Sequence, residues 1–115
     1  MSKDETLDIH TEDIPDGILV RLTGAITMSC ATLLRQRLGK IQQDRPARLV
    51  IDLGAVPHMD TSGIATFVEV LQNARHTGST LILCAVTDHV RGILEIARLD
   101  TVFSIVDSVQ DASVL

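Results

Sequence analysis

Hydrophobic residues recur with two different spacings along the chain, and the two spacings predict strands and helices in alternation. Short runs in which apolar and polar residues alternate, or in which apolar residues are continuous, predict β-strands at residues 7–13, 18–24, 48–54, 79–86 and 101–107. Pro15, Asp16 and Gly17 stand between the first two runs and form a strong turn signal. The first two strands are therefore predicted to form an antiparallel hairpin.

Apolar residues three and four positions apart predict the helices that separate the later strands. The first helix is expected at about residues 29–43, and the second runs from DTSG to a C-cap at Gly78. The third is expected at residues 87–99, with Thr87 or Asp88 as N-cap. Residues 108–115 are expected to form a terminal helix or tail. Their apolar faces are predicted to be Leu33, Leu34, Leu38 and Ile41, then Ile64, Phe67, Val68 and Leu71, then Val90, Ile93, Leu94 and Ala97.

This order of elements predicts an α/β fold. The sheet should be mixed and mostly parallel, with flanking α-helices and a β-hairpin at its start. In open sheets of this kind, sites form at the carboxyl ends of the strands. Two loops have that position, namely residues 23–28 after the second strand and VPHMDTSG after the third.

Composition narrows the class of protein. The 115 residues are 45% hydrophobic, which is sufficient for one packed domain, and aromatics are only 2%, so the core must be aliphatic. The net charge of −5 and the absence of a Lys/Arg-rich run argue against nucleic acid or anionic membranes as partners. No apolar run approaches the ~18 residues of a membrane span, and the first ten residues lack an apolar signal core. We therefore expect a cytoplasmic protein without direct membrane insertion.

The segment VPHMDTSGIATF, residues 56–67, carries the densest cluster of reactive side chains. His58, Asp60 and Ser62 are the residue types of a catalytic triad, but the flanking glycines of a nucleophile elbow are missing and three members within five residues would not converge. The loop also lacks the Gly-Lys pair of a phosphate-binding loop. Cys30 and Cys84 stand in no ligand spacing and are interpreted as packing residues. We predict no enzyme, metal site or cofactor.

Two interpretations of DTSG remain, and they are compatible. Asp60 is a preferred N-cap, whose carboxylate can accept N–H bonds from Ser62 or Gly63. A phosphate on Thr61 would add roughly −1.5 to −2 charges at the helix start, where the helix dipole favours an anion by ~0.3–1 kcal/mol. A partner that buries this turn and the partly apolar segment 56–59, which is expected to be exposed, would have to desolvate the dianion. Phosphorylation would then switch binding without unfolding the domain.

Three segments of the chain carry a resemblance to a known family. They are LVIDLGAVPHMDTSGIATFVEVL, HTGSTLILCAV and VRGILEIARLDTVFSIVDS. A strand that ends in an apolar-rich loop, followed by Asp-Ser/Thr-Ser/Thr-Gly-apolar at a helix start, is the most specific motif. The chain resembles the STAS domain family, in particular the bacterial anti-sigma factor antagonists. The resemblance implies a single STAS domain over residues 1–115 with a non-enzymatic, partner-switching role.

In that family the unphosphorylated domain binds an anti-sigma factor serine/threonine kinase and so frees a sigma factor. The kinase uses ATP to phosphorylate the hydroxyl after the motif Asp, and a phosphatase reverses the reaction. The resemblance therefore implies a phosphorylation site at Thr61, with Ser62 as the second candidate. It places the partner-binding surface at Thr27, Met28, Val56, Pro57, His58, Met59, Asp60, Thr61, Ser62, Gly63 and Ile64. Whether the chain forms a homodimer stays open.

The sequence departs from the family pattern at two positions. Members of the sigma-control branch usually carry serine at the phosphosite, where this chain has Thr61. The family also often has Gly-x-Leu-Asp in the preceding loop, and alignment on Gly24 puts Thr27 in place of that acid. The second departure keeps an alternative function open. The chain would then be a STAS subunit that regulates a membrane transporter, such as a lipid-transporting ABC permease complex, without phosphorylation.

Overall fold

The computed structural model describes residues 7–112 of the chain. Its elements are β1 (Asp8–Ile14), β2 (Gly17–Thr23), α1 (Met28–Gln43), β3 (Arg48–Ala55), α2 (Thr61–Thr77), β4 (Thr80–Cys84), α3 (Asp88–Ile96), β5 (Ser104–Val106) and α4 (Val109–Ala112). The predicted order of strands and helices is confirmed. The predicted terminal element begins as α4, and its last residues, 113–115, lie outside the described range.

The strands form one sheet in the order β1-β2-β3-β4-β5. β1 pairs with β2 in the predicted antiparallel hairpin, and each later pair is parallel. The hairpin turn needs glycine at position 17, because a Cβ atom there would lie 1.9 Å from the backbone oxygen of Arg48. The carboxyl ends of β2 to β5 share one edge of the sheet, so the loops that precede α1, α2 and α3 meet there.

The helices divide unequally between the two faces of the sheet. Residues of α1, α2 and α3 pack with Val20, Leu22, Leu49 and Ile51 in the main aliphatic core. The opposite face has a smaller apolar cluster of Leu19, Val50, Ile82, Cys84 and Ala112, which α4 covers. Burial raises the pKa of the Cys84 thiol to about 11, with a further contribution from the charge of Asp52. That thiol is therefore held neutral, as expected for a packing residue.

Several predicted helix faces are rotated in the structure. Leu33 is 48% exposed, because residues one position apart lie about 100° apart on a helix and Leu34 occupies the core side. The buried row of α1 is Cys30, Leu34, Leu38 and Gln42. In α2 it is Gly63, Thr66, Phe67, Val70 and Ala74, while the predicted Ile64, Val68 and Leu71 are half-buried on its flank. In α3 only Val90 and Leu94 are fully buried, and Ala97 is an exposed C-cap.

A pair of side-chain hydrogen bonds, here called the polar clamp, joins α1 to α2 away from the carboxyl ends of the strands. Gln42 is almost fully buried, and its Nε2 donates to the backbone oxygen of Val70 over 2.9 Å. Its Oε1 accepts a longer hydrogen bond of 3.4 Å from Nδ2 of Asn73. Because a buried amide is costly when unpaired, this contact fixes how the two helices lie against each other. The clamp therefore holds the C-terminal parts of both helices together, while their N-termini meet at the carboxyl ends of the strands.

Candidate functional site

The two loops that the sequence placed at strand ends are joined by backbone hydrogen bonds. The amide of Gly24 donates to the oxygen of Ala55 over 3.0 Å. Ile26 then donates to the oxygen of His58 over 3.1 Å and accepts from the amide of Asp60 over 3.0 Å. These bonds form a short parallel bridge between Ile26 and Met59. The starts of α1 and α2 are therefore held side by side.

Asp60 is the N-cap of α2, as predicted. Its backbone is extended, with φ −100° and ψ −171°, and Oδ1 accepts hydrogen bonds from the amide of Ser62 at 2.9 Å and from that of Gly63 at 3.4 Å. The same oxygen accepts a short hydrogen bond from the Ser62 hydroxyl. One carboxylate oxygen thus satisfies amides that would otherwise lack partners at the helix start.

The other carboxylate oxygen of Asp60 accepts a hydrogen bond from a different helix, α1. Oδ2 accepts a hydrogen bond of 3.1 Å from the amide of Met28, the first residue of α1. The Ser62 hydroxyl, followed by the amides of Met28, Gly63 and Ser62, holds the pKa of Asp60 below its ordinary value, against the opposing effect of partial burial. Asp60 therefore stays ionised and caps two helices at once.

Gly63 lets α2 approach the loop bridge closely. A Cβ atom at this position would lie 2.9 Å from Cγ2 of Ile26, and 3.2 Å from both Cβ and Sδ of Met59. These distances are too short for an ordinary side-chain contact. The glycine of DTSG is therefore required by packing, and it brings the first turn of α2 against the preceding loop.

The two hydroxyls of DTSG have different environments. Thr61 is exposed at the first position of α2, and no hydrogen bond to its hydroxyl occurs within residues 7–112. Ser62 is half-buried, and its hydroxyl is engaged with Asp60. Thr61 is therefore the hydroxyl that an incoming enzyme could reach without breaking a native contact.

The expected exposure of the apolar loop segment is wrong at two residues. Val56 is 0% and Met59 2% exposed, because both side chains pack in the main core, where Met59 is also paired with Ile26 through the loop bridge. Pro57 and His58 are exposed, as expected. The prominent apolar side chain at this edge is instead Met28, which is 77% exposed. Met28, rather than Val56 or Met59, is therefore the apolar side chain that this part of the surface presents to solvent.

Among the described residues, no hydrogen bond joins His58 to Asp60 or Ser62, the other triad-type residues of its loop. Its ring faces that of His89 at the start of α3, with ring centroids 5.6 Å apart in an edge-to-face arrangement. Thr87, one of the two predicted N-caps of α3, does occupy that position, but its hydroxyl donates to the backbone oxygen of Val56 over 2.7 Å. Among residues 7–112, no group of three or more acidic, His or Cys side chains is arranged to hold a metal ion.

A groove between α1 and α2 begins at the site and has a volume of about 240 Å³. Its lining residues are Met28, Ala31, Thr32, Arg35, Ser62, Ala65, Thr66 and Glu69. Only Met28 and Ser62 were predicted for the site. The others follow them at intervals of three, four and seven residues on their helices, which places them on the same helix faces. That spacing was visible in the sequence, but the side-by-side placement of the helices was not.

Thr27, where the family often has an acid, is the N-cap of α1. Its hydroxyl lies 2.9 Å from that of Ser29, and its amide donates to Sγ of Cys30 over 3.4 Å. The carboxylate at the start of α1 comes instead from Asp60, across the loop bridge. The start of α1 therefore has an acidic partner although its own loop supplies none.

A comparison against protein families agrees with the fold. The STAS domain model matches residues 8–112, which covers all the described strands and helices. The chain belongs to the STAS domain family. Within the part of the chain that the structure describes, no helix of this STAS domain is long and apolar enough to cross a membrane.

Individual relatives cover most of the chain at modest identity. BtrV of Bordetella bronchiseptica is 28% identical over 104 residues, which cover 90% of each protein. The anti-sigma-B factor antagonist of Listeria monocytogenes is 29% identical over 100 residues, 87% of each protein. The crystal structure of an anti-sigma factor antagonist from Mycobacterium paratuberculosis has a TM-score of 0.84 at 25% identity, covering 96% of this chain and 93% of that one.

Proposed function

We propose that this STAS domain is an anti-sigma factor antagonist, a protein-binding module without enzymatic activity that acts in the cytoplasm. Relatives that match nearly the whole chain carry this name. The observation that favours a phosphorylation-controlled antagonist is the exposure of Thr61 at the start of α2, beside the groove between α1 and α2. The partner in this proposal is an anti-sigma factor serine/threonine kinase.

The proposed switch is a phosphoryl transfer to Thr61. The threonine oxygen forms a bond to the γ-phosphorus of ATP, the bond to the β-phosphate oxygen breaks, and ADP leaves. The hydroxyl proton passes to a base of the kinase or to solvent. A phosphatase would return the threonine by hydrolysis, with water as the nucleophile and inorganic phosphate as the product. The chain itself contributes the acceptor hydroxyl and its placement.

The position of Thr61 explains how the phosphate would block binding. The group would add roughly −1.5 to −2 charges at the start of α2, which the helix dipole tolerates. A kinase bound to Met28 and the groove would have to remove water from the phosphate dianion, at a high cost in free energy. The proposal therefore predicts a folded but non-binding phosphorylated form.

The switch is tested by affinity capture from the native cells with wild type and two Thr61 variants as baits, together with one control variant. Wild type and Thr61→Ala should capture the same ATP-binding anti-sigma kinase, while Thr61→Glu should capture at least about tenfold less, equivalent to a loss of about 1.4 kcal/mol. Ser62→Ala is the matched control, because it removes the neighbouring hydroxyl and leaves Thr61 in place. Equal capture by the wild-type, Thr61→Ala and Thr61→Glu baits would contradict the switch.

A second function is favoured by one observation, the neutral cap at the start of α1. Thr27 has a hydroxyl where the family often has an acid beside the phosphosite. A STAS subunit that docks constitutively on a lipid-transporting ABC permease would not need that acid. This alternative predicts co-purification with a permease or its ATPase from detergent extracts, with an intact mass that shows no phosphate on the chain. Capture of soluble kinase alone would exclude it.

A further inference from the structure

Asp60 is the only described side chain that hydrogen-bonds the starts of both α1 and α2. We propose that Asp60 is a positioning residue through which a phosphoryl group on Thr61 releases the start of α1 and displaces Met28 from the groove wall. The proposal rests on the proposed function in taking Thr61 as the acceptor. It adds that phosphorylation acts on the partner surface through a defined hydrogen bond as well as through its charge.

The contacts of Asp60 are divided between its two oxygens. Oδ1 is occupied by the amides of Ser62 and Gly63 and by the Ser62 hydroxyl, all from the first turn of α2. Oδ2 accepts from the amide of Met28 alone among the described residues. The link to α1 is therefore a single hydrogen bond, and it depends on the orientation that α2 imposes on the carboxylate.

The two walls of the groove meet at this carboxylate. Met28 begins the α1 wall and Ser62 begins the α2 wall, and each donates to one oxygen of Asp60. The side chain of Met28 is 77% exposed, so the hydrogen bond from its amide to Asp60 is the side-chain contact that holds this residue in place. Asp60 therefore links the two residues, Met28 and Ser62, that begin the walls of the groove.

A phosphate on Thr61 would compete with this arrangement. Its oxygens are strong acceptors attached to the residue next to Asp60, and they would compete with Oδ1 for the Ser62 and Gly63 amides at the start of α2. Two neighbouring anions also repel each other, which favours rotation of the carboxylate away from the amides. Because Oδ2 has a single partner, rotation breaks the bond to Met28, whereas α2 receives the phosphate in exchange.

Two substitutions separate the link to α1 from the cap of α2. Asp60→Asn keeps an oxygen that can cap α2, since Asn is as good an N-cap as Asp, but replaces Oδ2 with a donor that cannot accept from Met28. Met28→Pro removes the donor amide instead. Proline is favoured at the first helical position, and Thr27 has the extended backbone, φ −126° and ψ 176°, that a residue before proline requires. Met28→Ala is the matched control, because it keeps the amide.

The test uses the full chain with phosphothreonine installed at position 61 by genetic encoding, and so needs neither kinase nor partner. Phosphorylation should shift the Met28 amide resonance in ¹⁵N spectra and speed its hydrogen exchange by about tenfold, as expected for loss of a charge-assisted hydrogen bond. In Asp60→Asn, fast exchange should already be present without phosphate, and phosphorylation should change it little. Met28→Ala should behave as wild type.

The proposed link is overturned by a Met28 amide that keeps its shift and exchange rate while the Ser62 and Gly63 amides respond to the phosphate. It is also overturned if Asp60→Asn leaves the unphosphorylated exchange rate of Met28 unchanged. Kinase capture by Met28→Pro gives a separate readout of the groove, with Met28→Ala again as the control. Because the phosphate is installed synthetically, these outcomes do not depend on whether cells modify Thr61, and failure of the proposed function would be seen separately as absence of kinase capture.

Discussion

The starts of α1 and α2 lie side by side at one edge of the sheet, but they are built differently. α2 has an acid of its own as N-cap and a glycine, Gly63, that packs closely on the neighbouring loop. α1 begins after Thr27, whose hydroxyl pairs with Ser29, and it receives a carboxylate oxygen from Asp60 of the other loop. The α2 start thus receives its carboxylate from its own N-cap, whereas the α1 start combines a contact between Thr27 and Cys30 with a carboxylate from the neighbouring loop. If the proposed link holds, a modification beside Asp60 should affect both helices, whereas a change at Thr27 should affect one.

The largest expected effect comes from Gly63→Ala. The added Cβ would lie 2.9 Å from Ile26 and 3.2 Å from Met59, both of which are buried. The close packing of α2 against these two residues would therefore be lost. We expect a loss of about 1–3 kcal/mol in the free energy of unfolding, measured by urea denaturation. Gly39→Ala in the interior of α1 is the matched control, since nothing lies within 4 Å of its Cβ, and it should stabilise by up to about 1 kcal/mol.

The second largest effect compares the N-cap of α2, Asp60, with the N-cap of α1, Thr27. Asp60→Ala removes a side chain that accepts from three backbone amides in two helices, and should cost about 1–2 kcal/mol of unfolding free energy. Thr27→Ala should cost less than about 0.5 kcal/mol, because its hydroxyl pairs with that of the exposed Ser29. Equal costs in denaturation experiments would show that the starts of α1 and α2 are independent.

A smaller effect concerns pH. The pKa of Asp60 is lowered in the folded protein from an ordinary value of 3.8, so the ionised carboxylate contributes stability that is complete above that value. The contribution is lost as the pH falls below 3.8 and through the folded pKa. The difference in unfolding free energy between wild type and Asp60→Asn should therefore be constant near neutral pH and shrink in acid. A difference that grows in acid would contradict the assignment of Asp60 as an ionised cap.

The smallest effect on stability is expected for Thr27→Asp, which restores the acid that the family often has. Asp is a good N-cap for α1, but its charge would lie near that of Asp60, and the two contributions should cancel to within about 0.5 kcal/mol. The like charge should raise the pKa of Asp60 toward its ordinary value, which a carboxyl ¹³C titration would detect. An unchanged pKa would show that the two loop positions are electrostatically separate.

Most of the fold was predictable because its signals are local. The Pro15-Asp16-Gly17 turn predicts the hairpin, and Gly78, with a φ of 77°, ends α2 as predicted. The cap by Asp60 was also local, since its α2 partners follow within three residues. These features depend on neighbouring residues along the chain, and local rules describe them well.

The unpredicted features depend on contacts between distant residues. The bond from the Met28 amide to Asp60 spans 32 positions, and it exists only because the register of two loops brings them together. Val56 and Met59 are buried in the core formed by such distant contacts, and their apolar character fitted a docking surface and a core equally well. Periodicity likewise identified α1 but could not choose between Leu33 and Leu34, which depends on how the helix is rotated against the sheet.

The most direct test of the proposed switch is to locate the phosphate. The purified chain is incubated with ATP and the captured kinase, and the product is examined by intact mass and peptide mass spectrometry. We predict a single phosphate on Thr61 that is absent from Thr61→Ala, is retained in Ser62→Ala, and is accompanied by release of the kinase. A phosphate on Ser62 or elsewhere, or a chain that binds the kinase and stays unmodified, would contradict the proposal.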